Sequence, residues 1–402
     1  LKILILTAEY PNPKSNYETP VVHFYAKEWV KMGHYVRVIH YRSVFPSFFY
    51  SVARLFKPLI KLIFKTDFIP FEKLQNAISN HLDGVEITTE PIFKFIPHTK
   101  FPTQVIKVKA RQIVHENERL GYIPDVIIGH FLNPQFQLFS ELRPVYPNTK
   151  FSLVLHESPT EINRLFGEKA SSYLKNINYI GFRYLEMQKI FEKYYGSSYP
   201  TFICPSGVPK AYVLDDVPDG KFKSDYLSIA FVGMLIPLKN VDITLNALAS
   251  AFPEKNFSFK LIGEGMLRKK IEFQIVKNQI ESQVKMFGKI SRNEVQQELL
   301  NTDVFVMVSK PEAFGLVYLE AMGKGCIAVG TKKQGIDGVI QHGENGFLCE
   351  ARNTDSLKNV LNQIADMSYE EKMKIAKKAL STAQKMTDEK VAYEYLQKLN
   401  MI

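Results

Sequence analysis

At 402 residues the chain exceeds the usual ceiling for one hydrophobic core, and a hydrophobic content of 46% fits a folded protein of two domains of about 200 residues each. Three cysteines, Cys204, Cys326 and Cys349, lack CxxC spacing and leave one over; this argues against a disulfide framework and a zinc site and fits a reducing cytosol. The net charge of +10 is concentrated early, with 25 Lys+Arg against 17 Asp+Glu in residues 1–200 and 26 against 24 afterwards, which suits nucleic acid, anionic lipid or phosphorylated ligands without choosing among them.

The chain opens on Leu1-Lys-Ile-Leu-Ile-Leu6, too short an apolar run for a signal peptide and readable as a buried first strand over 2–6. No run approaches the roughly 20 apolar residues that span a membrane. Thr19 as N-cap and Pro20 at the first helical position start a helix that Gly33 stops, with Val21, Tyr25, Trp29 and Met32 as its buried stripe. A strand follows at 36–39. Residues 48–65 then place Arg54, Lys57, Lys61 and Lys65 on one helical face against an aromatic-rich apolar remainder, divided by Pro58. That composition suits either a helix lying in an anionic membrane interface or an inserted helix packed on its own domain.

Further strands are expected at 126–128, 151–155 and 202–204, and in the second half at 229–232, 259–262, 284–287, 304–308 and 327–329. Helical stretches alternate with them, which predicts an α/β protein of two doubly wound parallel sheets. Turn residues cluster in Pro205-Ser-Gly-Val-Pro209, the expected hinge region between the halves. No internal repeat is present.

In such sheets ligands bind beyond the carboxyl ends of the strands, and there the chemistry-bearing residues collect. His130 ends one strand and could meet a ligand or be held by packing; His156 and Glu157 follow the next. Phe231-Val-Gly-Met-Leu-Ile-Pro-Leu-Lys-Asn-Val-Asp242 is a strand, a turn at Gly233 and Lys239 just before a helix. Lys239 suits a diphosphate, although alone it also reads as a surface lysine. Ile262-Gly-Glu-Gly265 lacks the full dinucleotide fingerprint, so Gly263 marks either a tight turn or a ligand approach; Gly288 of Phe287-Gly-Lys-Ile290 ends the next strand in the same position. Strand 304–308 runs into Ser309-Lys-Pro-Glu-Ala-Phe-Gly-Leu-Val-Tyr-Leu-Glu320, where Pro311 turns the chain and a helix is expected to begin near Phe314. Its free N–H groups suit an anion, Gly315 lets the anion approach, and Glu312 and Glu320 can accept hydroxyl hydrogens from a sugar and a ribose. Two solvated acids near a helix start are the alternative.

Together these residues resemble the retaining glycosyltransferases of family 4, which have the GT-B fold of two Rossmann-like domains facing a cleft. The likeness is specific from Glu312-Ala-Phe-Gly-Leu-Val-Tyr-Leu-Glu320 through Gly325-Cys-Ile-Ala-Val and Gly335-Ile-Asp-Gly-Val-Ile340 to Gly343-Glu-Asn-Gly-Phe-Leu348. In the first half it is loose, resting on the first strand, Gly33-His-Tyr-Val-Arg-Val and Asp125-Val-Ile-Ile-Gly-His130.

The resemblance implies an acceptor-binding domain over 1–207, with an insertion at about 45–75, and a donor-nucleotide-binding domain over 208–385. It also implies a terminal helix over 386–402 returning to the first domain, with flexing near 205–209 and before Thr387. Glu312 would contact the donor sugar, Glu320 the ribose, Lys239 the diphosphate, and the amides of Phe314, Gly315 and Leu316, next to Ala313, the sugar and phosphate. His130 matches the family's cleft histidine, so Glu312, His130 and Lys239 form the expected catalytic set, with no metal and no cofactor beyond a nucleoside-diphosphate sugar, UDP-linked, as donor substrate. The implied enzyme is a hexosyltransferase-like one, acting on a glycan or lipid-linked acceptor in cell-surface polysaccharide assembly, cytoplasmic and peripheral on the inner face of an anionic membrane, with no nucleic-acid partner. Transfer would proceed on one face of the sugar, the departing phosphate taking the acceptor's proton.

Two positions depart from the family. Met234 follows Gly233 where an Arg is usual, with Arg268 as a possible substitute, and Thr7-Ala-Glu-Tyr-Pro-Asn-Pro13 has no glycine where the family has a glycine-rich loop. A catalytically weakened sugar-nucleotide- or glycan-binding protein is therefore the alternative expectation.

Overall fold

The computed structural model describes residues 1–11, 20–48, 50, 76–224 and 226–402. Two compact units account for these residues. The first is Leu1–Arg183 with Met187–Cys204 and Ala392–Ile402; the second is Tyr184–Glu186 with Pro205–Val391.

The apolar runs of the first unit become one sheet: β1 (Lys2–Thr7), β2 (Tyr35–Val44), β3 (Ile78–Leu82), β4 (Val85–Phe93), β5 (Val126–His130), β6 (Lys150–Leu155), β7 (Tyr179–Phe182) and β8 (Thr201–Ile203). Their order is β3-β4-β2-β1-β5-β6-β7-β8, parallel except for β3, which runs antiparallel to β4. Ile3, Leu4, Ile5 and Leu6 are wholly buried, as a strand covered on both faces requires. The chain leaves β1 toward β2 and returns on the other side as β5, so the winding reverses between β1 and β5. Register places Thr7 opposite both His40 and His130 at that carboxyl edge.

The helix Val21–Lys31 starts one residue later than its sequence signals suggest. Pro20 occupies the N-cap and not the first helical position, and Thr19 lies outside the described residues. Gly33 ends it at φ +85°, where the Gly33 N–H reaches Val30 O at 2.9 Å and the His34 N–H reaches Trp29 O at 3.0 Å. Val21, Tyr25 and Trp29 are buried, whereas Met32 is only half-buried. Of the basic amphipathic stretch 48–65, only Phe48 and Tyr50 are among the described residues.

The second unit carries an all-parallel sheet of β9 (Leu227–Val232), β10 (Phe257–Ile262), β11 (Val284–Gly288), β12 (Val304–Val306), β13 (Ile327–Thr331) and β14 (Phe347–Cys349), in the order β11-β10-β9-β12-β13-β14. Here the winding reverses between β9 and β12. A crevice opens beyond the strand ends at such a reversal, and the loops that follow β9 and β12 line it. The chain thus has two parallel α/β sheets of the GT-B kind.

The last helix, Asp388–Lys398, begins in the second unit and ends in the first, where Ala392, Tyr395, Leu396 and Leu399 are buried. The Trp29 indole N–H donates to Ala392 O at 2.9 Å, so a residue from each end of the chain shares one core. All three cysteines are free and buried. Among the described residues no helix is long and apolar enough to cross a membrane.

Candidate functional site

The loop after β9 is built by close backbone approach. The Gly233 N–H donates to Ile262 O at 3.0 Å and the Gly263 N–H to Gly288 O at 2.8 Å, which aligns three strand-end glycines side by side. A Cβ on Gly263 would lie 1.9 Å from Gly233 O, and one on Gly265 would lie 2.5 Å from Leu235 O, so only glycine fits.

Beyond Gly233 a single 3₁₀ turn, Pro237–Lys239, leads to Asn240 at φ +48° and the helix Val241–Ala251. Asn240 Nδ2 donates to Val308 O at 2.7 Å, and the Lys310 N–H donates to Leu238 O at 2.8 Å. These two bonds lace the β9 loop to the β12 loop. Their product is an ion pair: Lys239 Nζ stands 2.5 Å from Glu312 Oε2, with both side chains mostly buried.

The turn that carries Glu312 is fixed from its other side by the loop after β13. The Glu312 N–H donates to Gln334 Oε1 at 3.0 Å and Glu312 O accepts from the Gly335 N–H at 2.9 Å. A Cβ on Gly335 would press to 2.4 Å from the Ala313 backbone. Phe314 is buried, and Gly315, at φ +77°, is the N-cap of the helix Leu316–Gly323, so the helix starts two residues beyond Phe314. The Tyr318 hydroxyl donates to Met307 O, seating that helix on the strand end.

Glu320 faces another element. Its Oε1 accepts from Arg292 Nη2 and its Oε2 from Gln296 Nε2, each at 3.0 Å, both residues lying on the helix Arg292–Leu300. Sequence reasoning named neither partner, since that helix has no apolar periodicity to mark it. Tyr184 was also missed. It belongs to the second unit although it follows β7, and burial first, then Glu186 and Glu312, raises its phenol above the ordinary value.

Met234 is exposed. Arg268 is held on its own helix by Glu264 and by Glu272, the latter with Nε to Oε1 at 2.9 Å.

His130 lies in the first unit, wholly buried and stacked on Tyr25 with ring centroids 5.9 Å apart. Its Nδ1 is 3.0 Å from His156 Nε2. Burial first and Arg183 second hold His130 down to about 3 and His156 well below its ordinary value, so both rings are neutral at physiological pH and one donates to the other. Glu157 Oε2 accepts from the Leu132 N–H at 3.2 Å, and burial pushes its carboxyl up to about 7 against the backbone N–H groups that favour the charged form.

The second unit thus holds together the strand-end glycines, the lysine–glutamate pair and the glutamate-bearing helix. Residues 215–382 match the family described as Glycosyl transferases group 1. The chain is 34% identical over 142 residues to the uncharacterized glycosyltransferase MJ1178 of Methanocaldococcus jannaschii, covering 35% of this chain and 39% of that protein. Over 132 residues it is 36% identical to the N-acetyl-alpha-D-glucosaminyl L-malate synthase of Bacillus anthracis, covering 32% of this chain and 33% of that one. The match therefore spans between a third and two-fifths of the length of these relatives. Among solved structures, HepE of Anabaena, in complex with UDP and glucose, aligns over 100% of both chains with a TM-score of 0.65 and 17% identity. A glycosyltransferase of Rickettsia africae aligns over 100% of this chain and 98% of that one, with a TM-score of 0.70 and 15% identity. At these identities the two structures speak to the fold alone.

Proposed function

We propose that the protein is a retaining glycosyltransferase that moves a sugar from a UDP-linked donor to a glycan or lipid-linked acceptor in cell-surface polysaccharide assembly, working at the cytoplasmic face of an anionic membrane. The observation that carries this reading is the Lys239–Glu312 pair, placed at the β9–β12 reversal. Glu312 accepts hydroxyl hydrogens of the donor sugar. Lys239 exchanges its carboxylate partner for the diphosphate, whose charge grows as the bond to the anomeric carbon breaks. The electron pair of that bond goes to the diphosphate, the acceptor oxygen bonds to the anomeric carbon on the same face, and the acceptor's proton passes to the departing phosphate oxygen. Positioning and charge stabilisation then supply the rate, with no protein nucleophile. Phe314, Gly315 and Leu316 offer amides to the donor, Glu320 takes the ribose, and Gly233, Gly263 and Gly288 leave room for the diphosphate and base. The second unit is thus the donor domain and the first the acceptor domain, with His130 on the acceptor side. Support comes from the match of residues 215–382 to the group 1 glycosyl transferases and from the UDP and glucose held by the HepE structure.

A second reading, a sugar-nucleotide- or glycan-binding protein with little turnover, is favoured by Met234 and by the carboxylates that occupy Arg268. Donor hydrolysis and transfer measured for the wild type and for Glu312→Ala separate the two. A transferase loses its turnover in the variant, whereas a binder shows none in either protein.

A further inference from the structure

The carboxyl ends of β2 and β4 emerge side by side, with Val44 opposite Phe93 in register and the Lys94 N–H bonded to Val44 O at 2.8 Å. From this edge projects the turn that joins β4 to the helix Thr103–Arg119. At its tip Phe95 is 60% exposed and Ile96 48% exposed, and Phe48, beyond the end of β2, is 63% exposed.

The turn is firmly built beneath that tip. Pro97 is buried, Thr99 Oγ1 donates to Ile96 O at 2.7 Å, and Arg164 Nη2 donates to His98 O at 2.9 Å. Phe101 exchanges two hydrogen bonds of 3.0 Å with the Gln137 amide, and the buried Lys94 ammonium sits 4.5 Å over the Phe101 ring. A turn braced this well could have tucked Phe95 inward; instead it presents two adjacent large apolar side chains to solvent, the mark of an interaction surface.

Charge selects the partner. Residues 91–115 hold five cations and no Asp or Glu; Lys94 is buried and Lys109 is paired with Glu90, which leaves Lys100, Lys107 and Arg111. Lys100 is exposed beside the tip, and Lys107 and Arg111, four apart, are exposed on one face of the helix that follows. An apolar pair followed along the chain by exposed cations is complementary to an anionic bilayer, which takes apolar side chains below its headgroups and attracts the cations to them.

We propose that the 93–100 turn is a membrane-insertion tip: Phe95 and Ile96 enter the interface of an anionic bilayer while Lys100, Lys107 and Arg111 lie over its headgroups. This extends, and rests on, the reading of a membrane-linked acceptor.

The test is co-sedimentation of the full chain with vesicles of phosphatidylglycerol and phosphatidylcholine, and with phosphatidylcholine alone. Wild type is expected to bind the mixed vesicles and not the neutral ones, and the double variant Phe95→Glu, Ile96→Glu to bind at least tenfold more weakly. Both positions are exposed, so UDP affinity by calorimetry stays unchanged and reports an intact fold. A second variant, Phe95→Trp, gives a fluorophore beside the buried Trp29, the chain's one native tryptophan; quenching by brominated acyl chains is expected only at the new position. Vesicle binding that is absent in the wild type, unchanged in the double variant, or without quenching overturns the proposal. So does a double variant altered only in molecular mass by light scattering, which assigns the tip to a second copy of the chain. Loss of UDP binding with vesicle binding intact would count against the transferase reading and leave the tip standing.

Discussion

Lys239 and Glu312 are 73 residues apart in sequence, yet Nζ and Oε2 lie 2.5 Å from one another because β9 and β12 are neighbours and their loops are laced by Asn240 and Lys310. With both side chains mostly buried, each charge depends on the other, and a donor diphosphate would compete with Glu312 for the ammonium. Lys239→Met and Glu312→Gln should each lower kcat/KM about 10²–10³-fold, the range for removing one preorganised stabilising group. The double variant should lose far less than the product of the two effects, since the residues act as a unit. A multiplicative loss would show that they act independently.

Glu320 has both oxygens engaged by Arg292 and Gln296. Arg292→Ala removes a charge-assisted bond from a buried carboxylate, which should weaken UDP binding by about tenfold. Inorganic pyrophosphate, which has no ribose, should bind as before. Calorimetry with the two ligands checks this, and an equal loss for both would move Glu320 away from the ribose.

Gly263→Ala brings a Cβ to 1.9 Å from Gly233 O at φ +137°, where neither backbone can yield without breaking the Gly263–Gly288 bond. The expected destabilisation exceeds about 2 kcal/mol. Gly220→Ala, with nothing within 4 Å and no positive φ, is the control and should stay within about 0.5 kcal/mol of wild type. Urea unfolding of both variants decides.

Glu157 offers a pH signature. Its carboxyl is raised from 4.5 to about 7 in the folded protein, chiefly by burial, so between those values the folded state binds more protons than the unfolded one. The stability it contributes is fully present below 4.5 and lost as pH rises to about 7. His130 and His156 act with the opposite sign, because their lowered values make the folded state bind fewer protons as pH falls below 6.5. Subtracting the profile of Glu157→Gln from that of the wild type isolates the glutamate. The wild type should lose up to ~3 kcal/mol relative to the variant across the window. A flat difference would mean that Glu157 titrates normally.

Much of the fold was legible because its central strands are covered on both faces and read as nearly continuous apolar runs; β1, β5 and β13 are of this kind. β4 was missed because Val-Glu-Ile-Thr-Thr-Glu alternates and then meets Pro91, although the turn feeding it, Asp83 at φ +51° followed by Gly84 at φ +80°, carried the Asp-Gly hairpin signal in plain sight. In the candidate site, Lys239 and Glu312 could be found from strand ends, since topology brings strand ends together whatever their sequence separation. Arg292 and Gln296 could not, because nothing local in a polar helix says which carboxylate it will face. His130 shows the converse: its place at a strand end was readable, but its complete enclosure by Tyr25 and Tyr395 depends on residues far away in the chain.

The union of Trp29 with Ala392 has a consequence for biosynthesis. Every strand and helix wholly within the second unit is translated before residue 392 is added, whereas the first unit, begun earlier, still lacks the segment that covers Trp29 and Tyr25. The part translated first is therefore completed last. Until then Tyr25 and Trp29 lack the ring of Tyr395, so the core of the first unit closes only once the second has been translated.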